Sequence, residues 1–229
     1  MAPPVSWRVR WPALPWVAPF AGFMAVLAVA PAMGLPQPWD AGLRFGVPLL
    51  ALGLLSWPVL RTLRVQHPMA DLLLGVGVCA LWVAPDFLVP GWRAHPVFQN
   101  ALTGSLAVSV PPAELADPLV LTLRFARAAL LVPVVEELFW RGWLPRWLAN
   151  PSWQDIPSGH YSRLGFIGTA VLFAAEHGPF WEVGLLCGLA YNAWMWRTRS
   201  LGDLILVHAV TNAALGAVVL RTGRYEFWM

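Results

Sequence analysis

Apolar stretches about as long as a lipid bilayer is thick recur along almost the entire chain. A transmembrane helix needs roughly 20 consecutive, mostly apolar residues, and seven stretches approach that length: 16–35, 43–60, 69–89, 119–140, 164–177, 181–196 and 201–220. Only 12% of the residues are charged, about half of the ~25% that is typical of soluble domains. The pattern therefore predicts an all-α, polytopic transmembrane bundle of about seven to eight helices, forming a single integral membrane domain over residues 1–229.

Two segments between these stretches are expected to be loops. Residues 91–112 are of mixed polarity and bounded by prolines, which indicates a loop with a short interfacial or re-entrant helix. Residues 150–163 carry Pro151, Asp155, Pro157 and Gly159, all typical of polar loops. Prolines inside the apolar stretches do not argue against helices, because membrane bundles tolerate kinked helices.

The positive charge of the chain is carried by arginine alone, since the sequence contains no lysine. The arginines stand mostly in pairs between apolar stretches, such as Arg8 with Arg10 and Arg61 with Arg64. This spacing is typical of cytoplasmic loops, whereas a nucleic-acid-binding protein gathers its basic residues on one polar face. We therefore expect a multi-pass protein of the inner membrane and no nucleic-acid partner. A cytoplasmic N-terminus places nine arginines inside and six outside.

The two cysteines, Cys79 and Cys187, each lie inside an apolar stretch. Neither has a second cysteine or a histidine at ligand spacing, which excludes a disulfide framework and a zinc knuckle. Both are expected to be small buried hydrophobic residues.

Two adjacent glutamates end the fourth apolar stretch and are the least expected residues in it. Charged groups at membrane depth are costly, so such residues are functional-site hypotheses by default. On a helix, Glu137 and Arg141 are separated by one turn and can pair, whereas Glu136 points about 100° away. The spacing predicts that one carboxylate is held ionised by arginine while the other is free to act. Pro133 lies just upstream, where it can bend the helix and admit water.

Two further polar patterns lie in later apolar stretches. His177 ends the fifth stretch, four residues after Phe173 and directly before a Gly-Pro helix stop. His208 and Asn212 share one face of the seventh. A single intramembrane histidine is often only a hydrogen-bonded packing residue, but the three patterns together favour a functional site.

The three patterns, in this order on successive helices, resemble the signature of the CPBP family, the CAAX-protease and bacteriocin-processing membrane proteins. The family motifs are EExxxR, FxxxH and HxxxN, and the chain has EELFWR at 136–141, FAAEH at 173–177 and HAVTN at 208–212. The resemblance covers about residues 119–220 and suggests N-terminal transmembrane helices over 1–116 and a CPBP-like catalytic core over 117–221. Within the family, the chain is most similar to the CAAX prenyl protease-related branch linked to exosortase and PEP-CTERM systems.

The resemblance implies a glutamate intramembrane endopeptidase acting on a membrane-associated peptide or protein. Peptide hydrolysis needs an activated water, a stabilised oxyanion and a proton for the leaving amine. In this scheme Glu136 is the general base and His177 helps to hold the water. His208 and Asn212 donate hydrogen bonds to the oxyanion.

The remaining motif residues have supporting roles in the same scheme. Arg141 orients Glu137 and offsets its charge, and Phe173 supports the packing. Two histidines and two glutamates could also bind zinc. The spacing is not HExxH, however, and the resemblance points to catalysis without a metal or another cofactor.

Two other classes of function remain open. The chain can be a non-catalytic membrane partner or an immunity-type member of the same family. A proton- or ion-coupled transporter is the other alternative. The polar residues lie only in the second half of the chain, without the repeated halves common in transporters, which argues against transport.

Overall fold

The computed structural model describes residues 7–107 and 116–228, and it is built of helices. Seven long helices follow one another over these residues: α1 Leu14–Met33, α2 Trp39–Leu60, α3 Pro68–Leu88, α4 Pro118–Ala149, α5 Leu164–Ala175, α6 Trp181–Thr198 and α7 Leu201–Thr222. The described residues contain no strand, only an isolated bridge between Asn100 and Gly104. The prediction of an all-α helical bundle is confirmed.

Five of these helices are long and apolar enough to cross a membrane, namely α1, α2, α3, α4 and α7. Two of the seven predicted crossings therefore differ from expectation. Helix α5 is a shorter apolar helix; a crossing needs about 20 residues to span ~30 Å of hydrocarbon. Helix α6 has 18 residues but carries Glu182, Asn192 and Arg197, which lower its hydropathy. Apolar helices in this number indicate a multi-pass membrane protein.

Helix α7 lies at the centre of the bundle. In its most apolar window 44% of the residues are buried within the protein, against 17% for α1 and α2, which leaves those two helices to face lipid. Helix α3 packs closely against α7 at Gly75. A Cβ atom there would lie 2.7 Å from the carbonyl oxygen of Val207. Thr211 adds a hydrogen bond to the Gly75 carbonyl at 3.1 Å.

Widened, π-helical turns interrupt α2 and α4, and each ends two residues before a proline. They extend over Leu52–Ser56 before Pro58, Arg127–Leu131 before Pro133 and Leu138–Trp143 before Pro145. Proline lacks an N–H and its ring clashes with the carbonyl one turn earlier, so a wider turn at these places relieves the clash. In α4 two such turns flank the six-residue segment Val132–Glu137 that carries both glutamates.

The segment after α3 is a loop, as predicted, although its only helical part in residues 89–107 is one short turn, Trp92–Ala94. The end of the predicted loop, from residue 108 on, lies outside the described residues. Arg93 anchors this loop and is almost fully buried. It donates to Asp86 at 3.0 Å and to Glu182 at 2.6 Å, which joins α3, the loop and α6.

The close contact between α3 and α7 gives a test of the fold. Replacing Gly75 by leucine forces a side chain into α7, and overpacking of this kind costs about 1–3 kcal/mol. We expect the free energy of unfolding in detergent to fall by that amount. The control is Gly77→Leu on the same helix, because nothing lies within 4 Å of a Cβ at Gly77. Equal stability of the two variants would contradict the packing described here.

Candidate active site

The adjacent glutamates of α4 occupy different environments. Glu137 is completely buried, and Glu136 is 6% exposed and lines a cavity of about 310 Å³ between the helices. Consecutive residues on a helix point about 100° apart. The pair therefore directs one carboxylate into the protein and the other into the cavity.

Glu137 binds the side chains of two other helical positions. Arg141 Nη1 donates to Glu137 Oε1 at 3.1 Å and to Oε2 at 3.2 Å, as the four-residue spacing predicts. His208 Nδ1, on α7, lies 2.7 Å from the same Oε1. An ionised carboxylate only accepts hydrogen bonds, so His208 carries its proton on Nδ1. This fixes the tautomer of the neutral ring and leaves Nε2 as the other reactive nitrogen.

Residues of α5 and α6 also hold Arg141. Its Nε donates to Asn192 Oδ1 at 2.9 Å, and Asn192 Nδ2 donates to the Phe166 carbonyl at 2.7 Å. The guanidinium lies over the Phe173 ring, 4.4 Å from its centroid, and 5.2 Å from that of Tyr191. Phe173 therefore packs directly on Arg141, and this contact is how Phe173 would support the packing of the site.

Asn192 is a site residue that sequence reasoning missed. The only signal in the sequence was an asparagine within an apolar stretch. Without a motif, such a residue cannot be distinguished from an ordinary hydrogen-bonded core residue, and Asn192 is indeed buried. Tyr191 beside it was missed for the same reason. Its hydroxyl donates to Thr211 at 2.8 Å.

His177 lies in the turn that follows α5, directly before Gly178-Pro179, because the helix ends at Ala175, two residues earlier than predicted. Its Nδ1 lies 2.6 Å from the Phe173 carbonyl oxygen, and a carbonyl only accepts, so Nδ1 carries the proton. The Nε2 lone pair is then available to a ligand. The ring is held by Trp82 at 5.1 Å and Phe173 at 4.5 Å between centroids. His177 lines the same cavity as Glu136.

His208 and Asn212 both face this cavity from α7, but each uses part of its donor capacity inside the protein. Asn212 Nδ2 donates to the Ala128 carbonyl of α4 at 2.9 Å. The second proton on Asn212 Nδ2 and the His208 Nε2 position remain for a ligand. For Nε2 to donate, His208 must be an imidazolium, since Nδ1 already carries one proton.

The cavity brings together four of the six predicted site residues, and the other two stand behind them. Glu136, His177, His208 and Asn212 line the space, whereas Glu137 and Arg141 form the buried ion pair that supports His208. Glu176, adjacent to His177, also lines the cavity. Across residues 7–107 and 116–228, the Glu136 carboxylate makes no hydrogen bond or ion pair. Of the two adjacent glutamates of α4, it is therefore the one that is free to accept a proton from water.

The donor set does not resemble a metal site. Within the described part of the chain, no three His, Cys, Asp or Glu side chains are grouped so that they could hold a metal ion. Glu137, the carboxylate nearest to His208, is already engaged by Arg141. The geometry offers proton acceptors and hydrogen-bond donors around the cavity instead.

Fold and site together define a class: a polytopic helical membrane protein with a carboxylate, two histidines and an asparagine around an internal cavity. Residues 118–214 match the family model described as type II CAAX prenyl endopeptidase Rce1-like. The match covers somewhat less than half of the chain and includes all six predicted site residues. It indicates a CAAX-type membrane endopeptidase domain. No curated protein and no solved structure matches the chain significantly.

The buried ion pair yields a test by double substitution. Replacing Arg141 by methionine leaves Glu137 as a buried charge with its main partner removed, and such a loss costs about 3–5 kcal/mol. Adding Glu137→Gln removes the unpaired charge, so we expect it to restore about 1–3 kcal/mol relative to Arg141→Met alone. Equilibrium unfolding in mixed micelles measures both values.

A matched control for this cycle is Arg163→Met, since Arg163 is exposed and outside the cavity. We expect it to change stability by less than about 0.5 kcal/mol. Strictly additive effects of Arg141→Met and Glu137→Gln would show that the two side chains do not interact.

Proposed function

We propose that the chain is a metal-independent intramembrane endopeptidase in which Glu136 activates water for attack on a peptide bond. One observation supports this proposal above the others. Of two adjacent carboxylates, Glu137 is fully engaged by Arg141 and His208, and Glu136 faces the cavity with no partner in the described residues. The Rce1-like match supports the same class of reaction.

The first step is attack by water on the scissile carbonyl carbon. Glu136 accepts one proton from the water, and His177 Nε2 accepts a hydrogen bond from its second O–H, which fixes the oxygen for attack. The carbonyl oxygen becomes an oxyanion. In the second step Glu136 returns its proton to the leaving amine, the C–N bond breaks, and a carboxylic acid and an amine are released.

The oxyanion needs donors positioned before the reaction begins. His208 Nε2 and the second N–H of Asn212 are the available donors on α7, and both residues line the cavity. Glu137 accepts a hydrogen bond from Nδ1 of His208 and so orients the ring, and Arg141 with Asn192 keeps Glu137 in place. Glu137 and Arg141 are thus positioning residues in this proposal.

Three finer predictions belong to the same proposal. The membrane is the inner membrane, with the N-terminus in the cytoplasm. The substrate is a membrane-associated peptide or protein. The chain belongs to the branch linked to exosortase and PEP-CTERM systems. The non-catalytic membrane partner remains the alternative function, and a well-folded wild type without peptidase activity would favour it.

Cleavage of a peptide library by the purified protein in detergent tests the proposal. Loss of a general base typically lowers the rate ~10²–10⁴-fold, and loss of an oxyanion donor ~10²–10³-fold. We expect Glu136→Ala and His208→Ala to reduce kcat by these factors with folding intact. Asp155→Asn is the matched control, because Asp155 is an exposed loop carboxylate. Activity that survives Glu136→Ala would overturn the assignment of the base.

Chelators test metal independence separately. Because the site residues form no metal-ligand group in the described part of the chain, we expect EDTA and phenanthroline to leave kcat/KM unchanged. Activity that is lost with the chelator and restored by added zinc would show that a metal is required. A zinc-free preparation, checked by elemental analysis, serves as the reference.

A further inference from the structure

Two arginines of α4, Arg124 and Arg127, precede Glu136 in the sequence and face the cavity. Arg124 and Arg127 line the same cavity as Glu136, and the proposed reaction uses neither of them. Arg124 is engaged within the protein. Its Nη2 donates to the Trp228 carbonyl, and its guanidinium lies 5.3 Å from the centroid of the Trp228 ring.

Arg127 differs from Arg124 in this respect. Its side chain is partly buried, yet no hydrogen bond or ion pair joins it to another residue in 7–107 or 116–228. The nearest opposing charge, Asp40 on α2, interacts with Arg127 but is already paired with Arg44 at 2.7 Å. Asp40 and Arg44 thus form an ion pair with each other, and within residues 7–107 and 116–228 the charge of Arg127 has no ion-pair partner.

An unpaired arginine inside a membrane bundle is expensive to maintain and indicates a function. Guanidinium groups bind carboxylates through two parallel hydrogen bonds, with a planar geometry that an ammonium group cannot reproduce. The cavity contains both this cation and the free carboxylate of Glu136, so a ligand that fills it contacts both.

We propose that Arg127 binds a carboxylate of the substrate peptide and so determines which peptide bond reaches Glu136. The inference rests on the proposed endopeptidase function and adds a specificity-determining residue to it. The substrate carboxylate has two possible sources, the free C-terminus of the peptide or an acidic side chain.

The spacing along α4 sets the distance that the peptide must span. Arg127 and Glu136 are nine residues apart, which corresponds to about 13 Å along a helix at 1.5 Å per residue. An extended peptide covers about 3.3–3.6 Å per residue. The bound carboxylate should therefore lie roughly three to five residues from the bond that is cleaved.

The test uses one cleavable peptide in three forms: with a free C-terminal carboxylate, with a C-terminal amide, and with an amide plus an aspartate at the last position. We expect wild type to cleave the free acid at least tenfold faster than the amide in kcat/KM, mainly through KM. If the aspartate form restores cleavage, an acidic side chain is a sufficient source of the substrate carboxylate.

Substitution of Arg127 provides the second half of the test. We expect Arg127→Gln to reduce kcat/KM for the free acid at least tenfold, to a value close to that for the amide, so that discrimination between the two peptides disappears. Arg127→Lys should retain part of the preference. Arg163→Gln, at an exposed arginine outside the cavity, should keep the wild-type preference in full.

Binding separates this inference from the proposed reaction. Fluorescence anisotropy of labelled peptides, on wild type and Glu136→Gln, reports the carboxylate preference without turnover. A preference that Arg127→Gln removes supports the inference even if nothing is cleaved, and only the endopeptidase proposal then fails. The inference about Arg127 would be overturned if wild type bound and cleaved the acid and the amide equally well. It would also be overturned if the preference for the acid survived in Arg127→Gln.

Discussion

The ion cluster of Glu137, Arg141 and His208 is the interaction on which the rest of the site depends. It joins α4 to α7 through a carboxylate with no exposure to solvent. Desolvation of such a group is tolerated only when its hydrogen bonds are satisfied, and here Arg141 and His208 supply them. Asn192 and the aromatic ring of Phe173 extend the support to α6 and α5. Each helix that carries a motif residue is therefore fixed relative to this carboxylate.

The same cluster explains how two adjacent glutamates can have opposite tasks. Glu137 uses its charge to orient His208, whereas Glu136 points away into the cavity. Wide turns lie on both sides of Val132–Glu137 in α4, and Pro133 and Pro145 keep those turns from becoming regular helix. Such π-helical turns occur frequently at functional sites. The helix is thus shaped to present one carboxylate while it buries the other.

Much of this arrangement can be predicted from local sequence rules. Apolar length identifies most of the helices, and the four-residue spacing predicts the contact between Glu137 and Arg141. The Gly-Pro pair predicts the end of α5 to within two residues, since the helix ends at Ala175. These features depend only on neighbours along the chain.

Features that depend on contacts between helices could not be predicted in this way. Asn192 becomes a site residue only because α6 packs beside Arg141. The pairing of His208 with Glu137 and of Asn212 with the Ala128 carbonyl sets which of their nitrogens face the cavity, and a motif contains no information on that choice. Helix α6 also departs from expectation, because its charged residues Glu182 and Arg197 and the buried Asn192 lower its hydropathy.

The central claim is that Glu137 stabilises the structure while Glu136 is left unpaired for the reaction. The most direct measurement compares the free energies of unfolding of Glu136→Gln and Glu137→Gln in the same mixed micelles. Removal of a buried, paired charge should cost several kcal/mol, so the account predicts a clear loss for Glu137→Gln. It predicts unchanged or higher stability for Glu136→Gln, because that carboxylate is desolvated without a partner. A larger loss for Glu136→Gln than for Glu137→Gln would contradict the account.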